Sequence, residues 1–153
     1  MATGGHPQAT PARHRTVVLR HTAPDGVWHL DWLIDRLAGR SEITTGEADC
    51  PDLMAFRVMV RPEDPMVRAF DAERAADHRA LYLAHEGDIG GGRGEVRRVA
   101  EGWCAIDRID AHGLDLILDC GGPARRIVGR WLGVSKEDGM GDWRFAAGDA
   151  PGR

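Results

Sequence analysis

Residues 16–34, TVVLRHTAPDGVWHLDWLI, form two short apolar runs that are joined by Pro24-Asp25-Gly26. Two such runs on either side of a Pro-Asp-Gly segment are typical of a β-hairpin. The second run has an apolar residue at every other position: Trp28, Leu30, Trp32 and Ile34. Because successive side chains of a strand point to opposite faces, these four residues should pack into a core.

The other face of the second run carries His29 and Asp31, which an extended strand holds about 6–7 Å apart. His21 lies just before the turn, so that pairing of the hairpin can bring it opposite this pair. Two imidazoles and a carboxylate suit a divalent transition metal and leave positions for substrate. The alternative is that His29 and Asp31 are an incidental surface pair. A metal site of this kind needs at least three protein ligands.

Length and composition predict one soluble globular domain. The chain has 153 residues, of which 29% are charged and 42% apolar, enough for a single core. Residues 1–15 are rich in Gly, Pro, Ala and Thr and are predicted to be a flexible tail, and residues 16–153 the domain. The formal net charge is −4, so any contact with nucleic acid must come from a local basic patch.

Cysteine usage and hydropathy predict a cytoplasmic location. Cys50, Cys104 and Cys120 have no metal-motif spacing and are predicted to be reduced thiols. The sequence has no run of about 18 apolar residues that could span a membrane.

The rest of the chain is read as short strands. A second main strand is predicted at residues 54–61 and a short helix at residues 67–77. Further strands are predicted at regular spacing, at residues 95–100, 103–109, 114–119, 126–132 and 143–145. This spacing favours an all-β fold, here a small closed or partly open β-barrel with short helical segments.

A glycine-rich segment, residues 87–94, precedes the strand predicted at residues 95–100 and carries Arg93. Glycine lets a backbone approach a ligand closely. The segment lacks the Lys-Ser/Thr ending of a P-loop, so a long hairpin loop is the alternative to a phosphate-binding loop.

Several motifs then resemble one family in order and spacing. The family has a His, a short loop and His-x-Asp-x-Arg on a strand, matched by His21 and residues 29–31. A later His-x-x-x-Tyr followed by Glu-Gly and a glycine-rich turn is matched by His78, Tyr82 and residues 86–94. The remaining matches are Gly102-Trp103, residues 127–131 and residues 142–145. Over about residues 16–146 the chain resembles the 3′-phosphoesterase module of bacterial DNA ligase D and its stand-alone relatives.

The resemblance implies a compact β-barrel with a surface groove. It implies that His21, His29 and Asp31 bind a divalent ion, with manganese expected and zinc or another transition metal as the alternative. His78 is implied as the catalytic residue beside the reacting phosphate. Arginines clamp that phosphate in the family, and the candidates in this chain are Arg20, Arg57, Arg93 and Arg130.

The implied activity is removal of 3′-phosphates or 3′-ribonucleotides at DNA ends during repair. The implied partners are nucleic-acid 3′ ends and a separate ligase or polymerase, and a monomer is expected. Leu33 stands where the family has an arginine. We expect Leu33 to make one end of the groove apolar, and Leu33→Arg to raise activity about tenfold, equivalent to roughly 1.4 kcal/mol of the barrier. The alternatives are a weak or inactive relative that binds nucleic-acid ends or a protein partner, and a purely structural barrel.

Overall fold

A computed structural model describes residues 11–133 and 141–151. The described chain is built from strands, with one 3₁₀ turn, Ala80–Leu83, after the fourth of them. The strands are β1 (Arg13–Thr22), β2 (Trp28–Ala38), β3 (Leu53–Val58), β4 (Ala69–His78), β5 (Gly87–Asp88), β6 (Glu95–Ile109), β7 (Gly113–Asp119), β8 (Arg125–Gly133) and β9 (Asp142–Asp149).

Eight of these strands form a closed antiparallel ring. The order of neighbours is β1-β2-β3-β4-β9-β8-β7-β6, and β6 pairs back onto β1. The two-residue strand β5 adds to the edge of β6. Closure pairs the edges of the sheet, and the prediction of an all-β, barrel-like fold is confirmed.

The predicted hairpin is present and sets the register of the first two strands. His21 pairs with His29, and Thr16 pairs with Ile34. Gly26 closes the turn at φ +89°, a conformation that favours glycine. Because the register of a strand fixes which face each side chain occupies, this turn decides where both histidines point.

An aromatic cluster fills the interior of the ring. It includes Trp32, Phe56, Phe70, Trp143 and Phe145. Their rings pack mainly edge to face, with centroids 5.2–6.2 Å apart in those pairs, a favoured arrangement for aromatic pairs. The buried indole of Trp32 donates a hydrogen bond of 3.0 Å to the hydroxyl of Thr16, so its polar atom is satisfied. Of the alternating apolar residues, only Trp28, at the strand's start, is exposed, at 38%.

A second apolar cluster lies on the outside of β1, β2 and β3. Its buried members are Val17, Leu19, Leu33, Leu53, Ala55, Tyr82, Leu83 and Val96. The 3₁₀ turn supplies Tyr82 and Leu83, which cover the outer face of these strands. The hairpin is therefore buried on both faces, and this outer layer was not predicted.

The helix predicted at residues 67–77 is wrong. This segment forms β4, which pairs with β3 and β9. Its alanines have a helical spacing, but Phe70 and Ala72 alternate into the interior, and pairing on both sides outweighs weak helix propensity.

Several predicted boundaries also differ from the structure, including the earlier end of β3 at Val58 and the longer β9, Asp142–Asp149. β2 continues to Ala38, and β6 runs without a break through Gly102, where a Cβ would overlap the backbone of β7. β1 begins at Arg13, inside the predicted tail, while residues 1–10 of that tail lie outside the described residues.

Candidate metal centre

Three predicted ligands converge on the outer face of the first hairpin. His21, His29 and Asp31 each offer one ligand atom, and these atoms all lie within 4.8 Å of one another. The Nε2 atom of His29 lies 3.1 Å from Oδ1 of Asp31, and the Nδ1 atom of His21 lies 4.0 Å from Oδ2. The cross-strand register of β1 and β2 produces this convergence, as the sequence predicts.

The ring of His21 is oriented by a backbone carbonyl. Its Nε2 atom lies 2.9 Å from the carbonyl oxygen of Arg93. Because a carbonyl only accepts hydrogen bonds, Nε2 is the nitrogen that carries the proton. In the neutral form of the ring, the free electron pair of Nδ1 therefore points toward Asp31. A backbone carbonyl commonly orients a histidine that ligates a metal.

His78 brings a third imidazole to the same carboxylate. Its Nε2 atom lies 3.9 Å from Oδ2 of Asp31, and its Nδ1 atom donates a 2.9 Å hydrogen bond to the carbonyl of Ala76. The Tyr82 ring lies edge-on to it, with centroids 5.8 Å apart. The structure thus places the predicted catalytic histidine beside the predicted metal ligands.

His21, Asp31 and His78 border a surface cavity of about 270 Å³. Asp31 is only 4% exposed at its base, whereas His21, His29 and His78 are half-buried. The imidazole nitrogens of His21 and His29 and the carboxylate of Asp31 give a mixed N/O donor set, which suits a first-row transition metal. The residues present therefore fit the ion that the sequence predicts.

Two of the four candidate arginines lie on the same face of the barrel as the candidate site. Arg93 lines the cavity, and its guanidinium donates to the carbonyls of Gly90 and Ile89 at 3.2 and 2.8 Å. Arg57 pairs in register with Asp31, so both side chains emerge on one face of the sheet. The side chain of Arg57 is exposed.

The other two candidates lie elsewhere. Arg20 adjoins His21 in the strand and points to the opposite face, where its guanidinium lies 4.4 Å from the centroid of the Trp28 ring. Arg130 lies on β8, four strands from β2 in either direction around the ring. The structure removes these two residues from the candidate phosphate clamp.

The expectation for Leu33 is also wrong. It shares the face of Asp31, as the alternation predicts, but it is 0% exposed and belongs to the cluster under Tyr82 and Leu83. It therefore lines no open groove. The 3₁₀ turn that covers it comes from a part of the chain with no strand pattern, which explains the error.

Sequence reasoning missed two residues that border the cavity. Arg79 donates to Asp49 at 3.1 Å and reaches the hydroxyl of Tyr82 at 3.5 Å. Its position directly after His78 was the available signal.

The second missed residue, Asp77, fixes the end of β4 that carries His78. Burial alone would raise the pKa of Asp77, but hydrogen bonds from Arg74 and Arg36 outweigh it and lower the pKa below its ordinary value. Asp77 therefore stays ionised and ties the end of β4 to Arg36 and Arg74, which themselves line a different cavity.

Comparison with known protein families and with characterised proteins gave no match to this sequence. In the part of the chain that the structure describes, no helix is long and apolar enough to cross a membrane.

Proposed function

We propose that this protein is a metal-dependent phosphoesterase that acts on the 3′ ends of nucleic acids. The observation that carries this proposal is the convergence of three imidazoles on Asp31 in a cavity lined by Arg93. His21, His29 and Asp31 are the residues that would hold the ion. When bound, a divalent ion supplies Lewis-acid chemistry to a phosphoryl group.

The chain's own residues fit the remaining tasks of phosphoester hydrolysis. Among the described residues, the guanidinium of Arg93 donates hydrogen bonds only to neutral carbonyls, and a phosphate would form stronger, charge-assisted hydrogen bonds with it. Arg57 adds positive charge on the same face. Both would offset the charge that develops on phosphate oxygens.

His78 is suited to proton transfer at its Nε2 atom. The hydrogen bond from Nδ1 to Ala76 keeps the ring fixed and leaves Nε2 facing the cavity beside Asp31. From there a protonated His78 can donate to the oxygen that leaves the phosphate, which is general acid catalysis.

The choice of a nucleic-acid 3′ end rests on the order of motifs shared with the DNA ligase D phosphoesterase modules. The cavity opens at the surface of the barrel, which lets the end of a long chain enter. Removal of a 3′-phosphate leaves a 3′-hydroxyl, the group that a separate polymerase or ligase then uses.

The second candidate function is a weakly active relative that binds nucleic-acid ends. The burial of Leu33 and the position of Arg20 on the face opposite the site favour it, because both reduce the phosphate clamp. Loss of one charge-stabilising donor costs about 3–4 kcal/mol in related settings.

The test combines metal analysis with a phosphate-release assay. Purified protein is analysed for bound metal and then incubated with manganese and a 3′-phosphate oligonucleotide. The same oligonucleotide with a 5′-phosphate is the matched control, and Asp31→Asn is the blank. Release from the 3′ end alone supports the phosphoesterase. Binding of metal and oligonucleotide without release supports the second candidate, and failure to bind metal contradicts both.

A further inference from the structure

The turn between β5 and β6 contacts the site through its backbone. It contains Gly90, Gly91, Gly92 and Gly94, which all have positive φ angles between 62° and 100°. A hydrogen bond of 3.1 Å from the amide of Ile89 to the carbonyl of Gly94 closes the turn. The carbonyl of Arg93 projects from it to the ring of His21.

Gly94 lets this turn lie directly on the end of β1. A Cβ added at Gly94 would overlap the carbonyl group of Thr22, the residue that follows His21. Its φ of +100° also favours glycine. The close approach of these two backbones brings the carbonyl of Arg93 within hydrogen-bond distance of His21.

We propose that the glycine-rich turn is a positioning element for the metal ligand His21. The carbonyl of Arg93 in this turn keeps the proton of His21 on Nε2, which leaves Nδ1 to bind the ion. His29 would bind the ion through Nε2. This inference rests on the proposed function for the identity of the site, but the positioning itself is a property of the metal-free protein. Arg93 then has two separate tasks. Its carbonyl accepts a hydrogen bond from His21, and its guanidinium binds phosphate.

The geometry separates these two tasks. The guanidinium of Arg93 folds back on Ile89 and Gly90, and no hydrogen bond joins it to His21 within the described residues. Substitution of the side chain leaves the carbonyl in place. The carbonyl moves only when the turn is displaced, and Gly94→Ala displaces it.

The first experiment measures manganese affinity by calorimetry in four proteins. Loss of an outer hydrogen bond to a metal-ligating histidine typically costs about 10- to 100-fold in affinity, and we expect this loss in Gly94→Ala. Gly121→Ala is the matched control, because Gly121 lies in the turn between β7 and β8 and has a similar φ of +93° with nothing within 4 Å of the added Cβ. Gly121→Ala and Arg93→Ala should each stay within about twofold of the native protein, since neither displaces the carbonyl of Arg93.

The same proteins, loaded with metal, are then titrated with inorganic phosphate. Arg93→Ala should bind phosphate about tenfold more weakly, because it lacks the charge-assisted hydrogen bonds. An equal loss of metal affinity in Arg93→Ala and Gly94→Ala would overturn the separation of tasks. Unchanged metal affinity in Gly94→Ala, once its fold is verified by circular dichroism, would overturn the positioning role.

The second experiment needs neither metal nor turnover. Nitrogen-15 NMR of the histidine rings reports which ring nitrogen carries the proton. We expect His21 of the native metal-free protein to carry it on Nε2, and Gly94→Ala to show a mixture of both forms. A proton on Nδ1 in the native protein would refute the inference. If the NMR spectra show the expected proton positions but the protein releases no 3′-phosphate, the proposed function is refuted and the positioning role is not.

Discussion

His21 faces His29 directly across the first hairpin, and the centroids of their rings lie 4.9 Å apart in an edge-to-face arrangement. The turn at residues 24–26 sets this register. A slip of one residue would move every side chain of one strand to the other face. The apolar clusters on both faces of the hairpin oppose such a slip, so the packing that stabilises the fold also assembles the candidate site.

Asp31→Asn should abolish most metal binding and preserve the fold. Asparagine keeps the shape of the buried side chain but removes the negative charge that faces three imidazoles. The loss should exceed the roughly 10- to 100-fold that removal of an outer hydrogen bond costs. Calorimetric titration with manganese and thermal circular dichroism check both parts. Asp71→Asn, on an exposed side chain of β4, is the control and should bind metal like the native protein.

His78→Gln should retain metal and lose phosphate release. His78 lies beside Asp31, and a general acid contributes about 10²- to 10⁴-fold to a rate. Manganese titration and the 3′-phosphate assay measure the two properties separately. His112→Gln is the control, since this ring packs against Trp131 away from the site. A parallel fall in metal affinity would instead identify His78 as a fourth ligand.

The hairpin and the convergence of His21, His29 and Asp31 could be predicted because both depend on local alternation. The faces of His29 and Asp31 follow from strand geometry alone. The same rule places Arg20 on the face opposite His21, so its removal from the clamp agrees with the pattern. Leu33 shows the limit of this rule. The alternation assigns Leu33 to a face of the strand but does not show which part of the chain covers that face.

The contacts from distant parts of the chain could not be predicted. The carbonyl of Arg93 lies 72 residues from His21 in sequence, and backbone atoms leave no signal in a residue pattern. β4 was misassigned for a related reason: its alanines suit a helix or a strand, and only pairing with β3 and β9 decides between them.

Leu33→Arg should destabilise the protein and give no gain of activity. The guanidinium would enter an apolar cluster in which Leu33 is fully buried, and an unpaired buried charge costs about 3–5 kcal/mol. Urea unfolding measures the loss. Leu37→Arg is the control on the same face of β2, because Leu37 is 48% exposed and should tolerate the charge. A stable Leu33→Arg protein with faster phosphate release would show that the 3₁₀ turn opens.

The free energy of unfolding should fall as the pH rises above about 9. Burial raises the pKa of Cys104 and of Cys120 to about 12 from an ordinary value of 9.0. As the pH rises, the thiols ionise in the unfolded chain before they ionise in the folded protein. Their contribution to the free energy of unfolding is therefore complete below pH 9 and is lost between pH 9 and 12. For the buried Cys104 the slope approaches about 1.4 kcal/mol per pH unit, and solvent screening makes it smaller for the half-buried Cys120.

Urea unfolding at several pH values from 8 to 10.5 checks this pH dependence. Cys120→Ala should reduce the slope, and Cys50→Ala should not, because Cys50 is exposed. Parallel curves for the native and Cys120→Ala proteins would contradict the expectation.

Gly129→Ala should be more destabilising than Gly148→Ala, although both glycines lie in strands of the same half of the ring. Gly129 pairs with Phe145, and an added Cβ would lie within 2.8 Å of three atoms of that ring. The ring has no room to withdraw, since it stacks on Phe70 at 5.0 Å and meets Phe56 at 5.2 Å. Overpacking of this kind costs about 1–3 kcal/mol.

Gly148 is the matched control on β9, because its added Cβ meets nothing within 4 Å. Replacement of glycine by alanine in an unstrained conformation stabilises a protein by about 0.4–1 kcal/mol through the unfolded state. The two variants should therefore differ in sign when their free energies of unfolding are measured in urea. Both should bind manganese like the native protein, because the aromatic cluster lies inside the ring and the ligands lie outside it. Equal stability of the two variants would mean that the aromatic cluster can rearrange around a new methyl group.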